Sequence, residues 1–208
     1  MLDVDSTVSA LEGIDWLAER RSDAVAATVI ALTNDAMEAR VPLDEVYERR
    51  LHIIRPTRDE VSQLACTYLA TAVPGVRDAV TAWMRAGVRV VLVSGGLREA
   101  ILPLATWLGI PTGDVHAVEV HYDAADVVCA VHADAVLARR GGKPQLVSSL
   151  ALPRPTLAVG DGATDAELAT VVDRFLAFTG VVRRDRVIAQ AAGEVADFAS
   201  LTSIVLGT

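Results

Sequence analysis

Asp3 and Asp5 stand two residues apart in an apolar run, Leu2-Asp3-Val4-Asp5. In an extended chain residues i and i+2 project to one face, so both carboxylates can look into one site. Two solvated acids near a frayed terminus would look the same, so the pair has to be weighed with three other signals. Ser94-Gly95-Gly96 follows an apolar run and precedes a helical pattern. It reads either as an ordinary N-cap turn or as a phosphate seat made of a hydroxyl, free backbone N–H groups and the positive end of a helix. Gly160-Asp161-Gly162-Ala163-Thr164-Asp165 follows a strand pattern, and its glycines permit a tight turn that leaves Asp161 at a strand end, placed for a metal. Thr164 and Glu167 also fit a helix capping box, which would explain the threonine without any ligand. The third glycine of a dinucleotide fingerprint is absent. Lys143, after Gly141-Gly142, would by itself be read as a solvated lysine.

The elements that must position these residues alternate. Over 14–73, apolar residues recur at steps of three and four, as in Leu43, Val46, Tyr47, Leu51 and Ile54, which predicts helix after helix. Pro42 and Pro56 are placed near helix starts. A helix over 76–86 ends at Gly87, a strand follows over 88–93, and Ser94-Gly95-Gly96 turns into a helix over 98–108 ended by Gly109. Pro103 inside that helix is expected to kink or break it. The runs 117–122 and 127–131 predict a hairpin. A helix after Pro144, strands at 156–159 and 175–178, helices from Asp165 and Asp185, and a strand-helix unit over 195–205 complete the chain. Strands alternating with helices imply a parallel sheet covered on both faces. The sequence therefore reads as a split α/β core, residues 1–10 plus 74–208, with a helical cap inserted over 11–73. In open sheets of this kind the site lies beyond the carboxyl ends of the strands.

Composition limits the function classes. Of 208 residues 52% are hydrophobic, enough for a sizeable core, yet no apolar run nears the roughly 18 residues of a membrane span. The acidic start, Met1-Leu2-Asp3-Val4-Asp5, is unlike a signal peptide, so a cytoplasmic protein without membrane partners is expected. A net charge of −8 argues against nucleic acid. It leaves room for a small phosphorylated substrate, because a local cation outweighs distant carboxylates screened beyond about 8–10 Å. Cys66 and Cys129 are far apart with no CxxC and are expected to be buried small apolar residues. His116, His121 and His132 lack metal-ligand spacing and are expected at the surface.

Two acids at one strand end, Ser-Gly-Gly at another, a lysine, and an acidic loop at a further strand end appear in that order. Together they resemble the haloacid dehalogenase-like phosphatases, and within these the phosphoserine phosphatase branch. Asp3-Val4-Asp5-Ser6-Thr7 is similar to the nucleophile motif, Ser94 to the hydroxyl motif, Lys143 to the family lysine and 160–165 to the metal motif. The resemblance covers nearly the whole chain, through Glu12-Gly13-Ile14-Asp15, Ala36-Met37, Val41-Pro42, Arg50-Leu51 and Pro56-Thr57-Arg58.

The resemblance implies a Rossmann-like core with a helical lid and a Mg²⁺-dependent phosphatase acting on O-phosphoserine, the last step of serine biosynthesis. Asp3 would attack phosphorus and become an aspartyl phosphate. Asp5 would protonate the leaving serine and then activate water. Mg²⁺ would be held by Asp3, Asp161 and the Asp5 backbone carbonyl, with Asp165 supporting the metal water and Lys143. Hard oxygen donors suit that ion. Cations are a necessity, since a carboxylate about 4 Å from a phosphate dianion is repelled by roughly 8 kcal/mol at an effective dielectric near 20. Ser94, Gly95, Gly96, Lys143 and Thr164 would bind the phosphate region. Glu12 would face the substrate ammonium and Arg50 its carboxylate, with Met37 and Glu38 bordering it. Ala39 stands where the family commonly has glycine, and Leu43 where it has an aromatic. Those departures keep two alternatives open, another small phosphomonoester or transfer of phosphate to an alcohol. A non-catalytic phospho-ligand sensor would not need Asp5. Oligomeric state is not legible.

The strand carrying Asp3 has only Met1 and Leu2 ahead of it, against about five residues in a typical strand. Few ladder hydrogen bonds and an α-amino group near the metal are expected, and with them a natural start upstream or reduced stability. Adding a few apolar residues before Met1 should then raise the melting temperature by several degrees, since 1 kcal/mol is worth about 2–4 °C at this size. No gain would show the short strand to be sufficient.

Overall fold

The computed structural model of the protein describes residues 1–37, 40 and 43–207. Its central sheet is parallel. β1 (Leu92–Leu97) pairs with β2 (Val115–Val118), and β5 (Leu157–Gly160), β6 (Arg174–Phe178) and β7 (Glu194–Val195) pair in that order. Leu2 joins the two halves by bridging to both Leu92 and Val159. The spatial order is thus β2, β1, the Leu2 segment, β5, β6, β7. Residues such as Leu92, Val93, Ala158, Val159, Phe175, Leu176 and Phe178 are buried, as a sheet covered on both faces requires.

The short first segment makes more of a ladder than its length suggests. Leu2 N–H donates to Val91 O at 2.9 Å, Val93 N–H to Leu2 O at 3.0 Å, Asp3 N–H to Val159 O at 3.0 Å and Val159 N–H to Met1 O at 3.1 Å. The α-amino group donates to Leu157 O at 2.7 Å, at the start of β5 and away from Asp161 beyond its end. An extended chain carries the amino group to the opposite rim from Asp3, so the expectation that it adds a cation near the site is corrected.

The helices α1 (Gly13–Ala18), α2 (Asp23–Met37), α3 (Leu43–Ile54) and α4 (Arg58–Ala70) follow as the periodicity predicts. Thr57, next to Pro56, caps α4 in a reciprocal box with Glu60. Pro42 lies outside the described residues, as do Glu38, Ala39 and Val41. The chain leaves for these helices and returns from them side by side. Ser9 bridges Ala72, Ala10 N–H donates to Thr71 O at 2.8 Å and Val73 N–H to Val8 O at 2.9 Å. α5 (Val76–Arg85), α6 (Arg98–Leu108), α7 (Gly142–Ser149), α8 (Ala163–Ala166), α9 (Asp185–Ile188) and α10 (Phe198–Leu206) accompany the sheet. α6 ends on Gly109 at φ +79°, the left-handed turn that glycine allows.

Several sequence expectations are corrected. Ser94-Gly95-Gly96 does not cap a helix: it lies within β1, which starts later than expected, and Leu97 precedes α6 without a side-chain cap. An irregularity in the β1–β2 register between Val93 and Leu97 accommodates the two glycines. Pro103 does not break α6, whose buried face of Ala100, Ile101, Leu104, Ala105 and Leu108 holds it together by packing. The run 117–122 splits, because Val115–Val118 joins the parallel sheet and only β3 (Val120–Tyr122) pairs antiparallel with β4 (Val128–Val131). Thr164 is not an N-cap. Gly162 is, its N–H donating to Asp165 Oδ2 at 3.1 Å, while Glu167 instead accepts from Gly141 N–H at 2.9 Å. Cys66 and Cys129 are exposed, not buried, Cys66 because the buried face of α4 runs through Val61, Leu64, Ala65 and Tyr68. His121 is exposed and stacks on His132, but the Nε2 of half-buried His116 is enclosed without a partner.

Candidate active site

Three strand ends meet in one cavity. Its wall contains Asp3, Asp5, Glu12, Gly13, Tyr47, Arg50, Gly95, Gly96, Lys143, Asp161 and Thr164. Asp3 leaves the sheet at the end of the Leu2 segment, and the chain bends at Val4, so Asp5 is reached by a turn rather than by a continued strand. Asp161 follows β5. Gly160 must be glycine, since a Cβ there would lie 2.1 Å from Asp165 Cγ.

Carboxylate oxygens of Asp3, Asp161 and Asp165 lie within 4.8 Å of one another, a cluster that suits a divalent cation with hard oxygen ligands. Lys143, at the start of α7, is buried at 4% exposure, with Nζ 2.6 Å from Asp165 Oδ1 and 3.0 Å from Asp3 Oδ1. It is the opposite of a solvated lysine. Burial alone would lower its pKa, but the charges of Asp165 and Asp3 outweigh that and hold it above the ordinary range. Asp3 Oδ1 is enclosed and accepts no aligned hydrogen bond, so it retains an acceptor position for a further cation. Burial, then repulsion from Asp3, pushes Asp165 up to about 7, and burial with the Glu12 charge raises Asp161. Crowded acids in a low-dielectric pocket hold protons unless cations replace them.

Asp5 faces the other side of the cavity. Its Oδ1 accepts from Gly13 N–H and from Tyr68 Oη, each at 2.7 Å, and Ser94 Oγ lies 3.4 Å from Oδ2. Burial and the Asp3 charge raise its pKa to about 6. Ser94, fully buried, accepts from Gly96 N–H at 3.0 Å, and Gly95 O accepts from Tyr47 Oη at 2.6 Å. A Cβ on Gly96 would approach Asp5 Oδ2 to 3.0 Å, so only glycine keeps that oxygen clear.

Glu12 and Arg50 sit where the cavity meets the helices. Glu12 accepts from Ser6 Oγ at 2.7 Å and is raised to about 8 by burial and the Asp5 charge. Arg50 is 3% exposed on α3 and donates to Thr33 Oγ1 at 2.8 Å, and Thr33 in turn donates to Asp15. The Arg50 Nε has no partner. Thr164 lines the cavity, Met37 closes α2, and Glu38 lies outside the described residues. Met37 and Glu38 aside, the structure gathers eleven of the sequence candidates around one space, nine of them in its wall, with Ser94 and Asp165 buried and reaching it through Asp5 and Lys143.

Three residues were not singled out from the sequence. Tyr47 stands one helical turn before Arg50, a spacing that could have flagged it. Tyr68 looks like a core position of α4, and only its hydroxyl sets it apart. Arg184 carries no local signal, yet it is 6% exposed, ion-paired to Asp161 Oδ2 and 3.8 Å from Glu12 Oε1. Thr7 Oγ1 holds the other Asp161 oxygen at 3.3 Å.

The haloacid dehalogenase-like hydrolase family model matches residues 1–170. Phosphoserine phosphatase from Rattus norvegicus is 34% identical over 202 residues, covering 96% of this chain and 89% of that protein. The Homo sapiens phosphoserine phosphatase is 33% identical over the same shares. Among solved structures, a phosphoserine phosphohydrolase-like protein from Francisella tularensis superposes with a TM-score of 0.90 at 24% identity, over 98% of this chain and 97% of that one. A phospho-aspartyl intermediate analogue of phosphoserine phosphatase gives 0.82 at 21% identity, over 98% and 96%. With its strand ends, its acid cluster and these likenesses taken together, the chain belongs to the haloacid dehalogenase-like hydrolase family, among the phosphoserine phosphatases.

Proposed function

We propose that the protein hydrolyses O-phosphoserine to serine and phosphate through an aspartyl phosphate on Asp3, with Mg²⁺ as the divalent ion. The observation that carries this reading is Asp3 itself, at the centre of the sheet, 3.0 Å from Lys143 Nζ and in the wall of the same cavity as Gly95 and Gly96. An Asp3 oxygen attacks phosphorus and the bond to the serine oxygen breaks, with Asp5 giving that oxygen its proton. Water then attacks the phosphoenzyme, Asp5 takes a proton from it, and the bond to Asp3 breaks to release phosphate. Lys143 and the donors around Ser94, Gly95, Gly96 and Thr164 hold the phosphoryl oxygens. Asp3, Asp161 and the Asp5 main-chain carbonyl, supported by Asp165, would hold Mg²⁺, which would supply positive charge to offset repulsion between nucleophile and phosphate dianion.

Glu12 and Arg50 supply opposite charges for a zwitterionic amino-acid head, with Met37 and Glu38 at its border. Residues 1–10 plus 74–208 form the core in this reading, and 11–73 the cap that confers substrate choice. Among the described residues no helix is long and apolar enough to cross a membrane. A cytoplasmic place at the last step of serine biosynthesis, with a small phosphorylated amino acid as the partner and no nucleic acid or membrane, completes the proposal.

The test is phosphate release from O-phosphoserine with Mg²⁺ and with a chelator. Release should require the metal, and Asp3→Asn should abolish it with an unchanged fold, because an amide cannot form the phosphoenzyme. Turnover within about tenfold of wild type, roughly 1.4 kcal/mol of barrier, would remove Asp3 from the role. Arg50→Ala should raise KM for phosphoserine far more than for p-nitrophenyl phosphate, which lacks the carboxylate. Equal changes would make Arg50 a structural partner of Thr33 and Asp15.

Arg184 neutralises Asp161 when no metal does so, and its removal concentrates negative charge. Arg184→Gln should lower the melting temperature of the metal-free protein and enlarge the stabilisation given by Mg²⁺, since a ligand of the native state stabilises it by mass action. An unchanged Mg²⁺ shift would mean the two cations do not share Asp161.

A further inference from the structure

The proposed reaction moves a proton through Asp5 twice, and the two oxygens of Asp5 are not equivalent. Oδ1 accepts both the Tyr68 phenol and the Gly13 N–H at 2.7 Å. A carboxylate oxygen has two lone pairs in good directions, and these two donors occupy them. A proton on Oδ1 would have to displace one of the donors. Oδ2 carries no such pair. It accepts a single long bond, from Ser94 Oγ at 3.4 Å, and faces Gly96, where a methyl group would crowd it at 3.0 Å. That is the side of Ser94 and Gly96, to which the proposed function assigns the phosphoryl group.

We propose that Tyr68 is a positioning residue that, with Gly13, fixes Asp5 so that Oδ2 is the oxygen exchanging the proton. The inference rests on the reading of Asp5 as acid and base. In the first half-reaction Asp3 forms its bond to phosphorus, the bond to the serine oxygen breaks, and the Oδ2 proton passes to that oxygen. In the second, water bonds to phosphorus, its proton returns to Oδ2, and the bond to Asp3 breaks.

The hydroxyl is what matters in this arrangement. The Tyr68 ring is fully buried on the face of α4 that also carries Val61, Leu64 and Ala65, where phenylalanine would fill the same space. The surroundings are shaped to admit the phenol: a Cβ on Gly13 would stand 2.0 Å from Tyr68 Oη. A buried hydroxyl takes whatever acceptor is near, so burial alone would explain a hydrogen bond. Here the acceptor belongs to the acid itself, and the phenol shares one oxygen with a second donor while the other oxygen accepts only the long bond from Ser94 Oγ at 3.4 Å. Both donors come from the helical segment, at the start of α1 and on α4, whereas Asp5 follows the central strand. The helices therefore touch the proposed proton carrier directly.

Leaving-group chemistry separates this role from a structural one. Serine leaves as a poor alkoxide and needs the proton, whereas p-nitrophenolate is a stable anion and leaves without it. Rapid-quench measurement of the phosphorylation burst should show Tyr68→Phe slowing the burst from phosphoserine by about tenfold or more. The burst from p-nitrophenyl phosphate should stay within about twofold, with KM for both substrates little changed. Asp5→Asn calibrates the assay and should show the same split, larger. If Asp5→Asn splits the two substrates and Tyr68→Phe does not, Tyr68 is a core residue and the inference fails alone. If Asp5→Asn shows no split, the acid role of Asp5 fails and takes the inference with it. Tyr68→Phe preserves the ring, and an unfolding transition within a few degrees of wild type secures the comparison. Should it unfold, Gly13→Ala, which drives a methyl into the phenol, must reproduce the split, and uniform loss on both substrates would overturn the proposal.

Discussion

Negative charge gathered around a space meant for a phosphate dianion is the problem the rest of the structure addresses. Asp3, Asp161 and Asp165 bring carboxylate oxygens within 4.8 Å of one another, and Asp5 and Glu12 stand on the same cavity. A carboxylate approaching a dianion at about 4 Å meets repulsion of roughly 8 kcal/mol at an effective dielectric near 20, enough to suppress any attack. Lys143, between Asp3 and Asp165, and Arg184, on Asp161, are buried cations that meet this charge. Removing one partner from such a buried set leaves an uncompensated charge, which costs about 3–5 kcal/mol. Lys143 serves two of these acids and Arg184 a third, while Asp5 is held by the neutral donors of Gly13, Tyr68 and Ser94.

That assignment depends on where strands end. In a parallel sheet the carboxyl ends of the strands lie on one rim, and β1, β5 and the Leu2 segment deliver Ser94, Asp161 and Asp3 to it. Glycines let the backbones close in. Gly160 makes room for Asp165, and Gly96 makes room for Asp5. A methyl on Gly160 would collide with Asp165 outright at 2.1 Å, and one on Gly96 would press on Asp5 Oδ2 at 3.0 Å.

The helices between the first strand and the rest do more than cover the rim. Gly13 N–H and Tyr68 Oη bind Asp5, Tyr47 Oη binds Gly95 O, and Arg50 enters the wall through Thr33 and Asp15. One set of helices therefore reaches both Asp5 and the Ser94–Gly96 segment. The paired crossing of residues 8–10 with 71–73 ties both ends of that set to the nucleophile loop.

The chemistry was legible in the sequence because it lives in local patterns. Asp3 and Asp5, Ser94 with its glycines, Lys143 and the 160–165 loop are short motifs, and helical periodicity and alternation of strands and helices imply the sheet that brings them together. Local pattern was insufficient wherever long-range packing decided the outcome. Ser94-Gly95-Gly96 became strand instead of cap because β2 pairs with Val93 and Leu97 on either side of it, and Pro103 stayed within an unbroken helix because a buried face outweighs one missing hydrogen bond. Lys143 reads as solvated until two acids from distant segments enclose it. Arg184 and the hydroxyl of Tyr68 have no pattern at all. Their partners, Asp161 and Asp5, lie 23 and 63 residues away, and only the folded chain sets a charge or a donor within hydrogen-bond range across such separations.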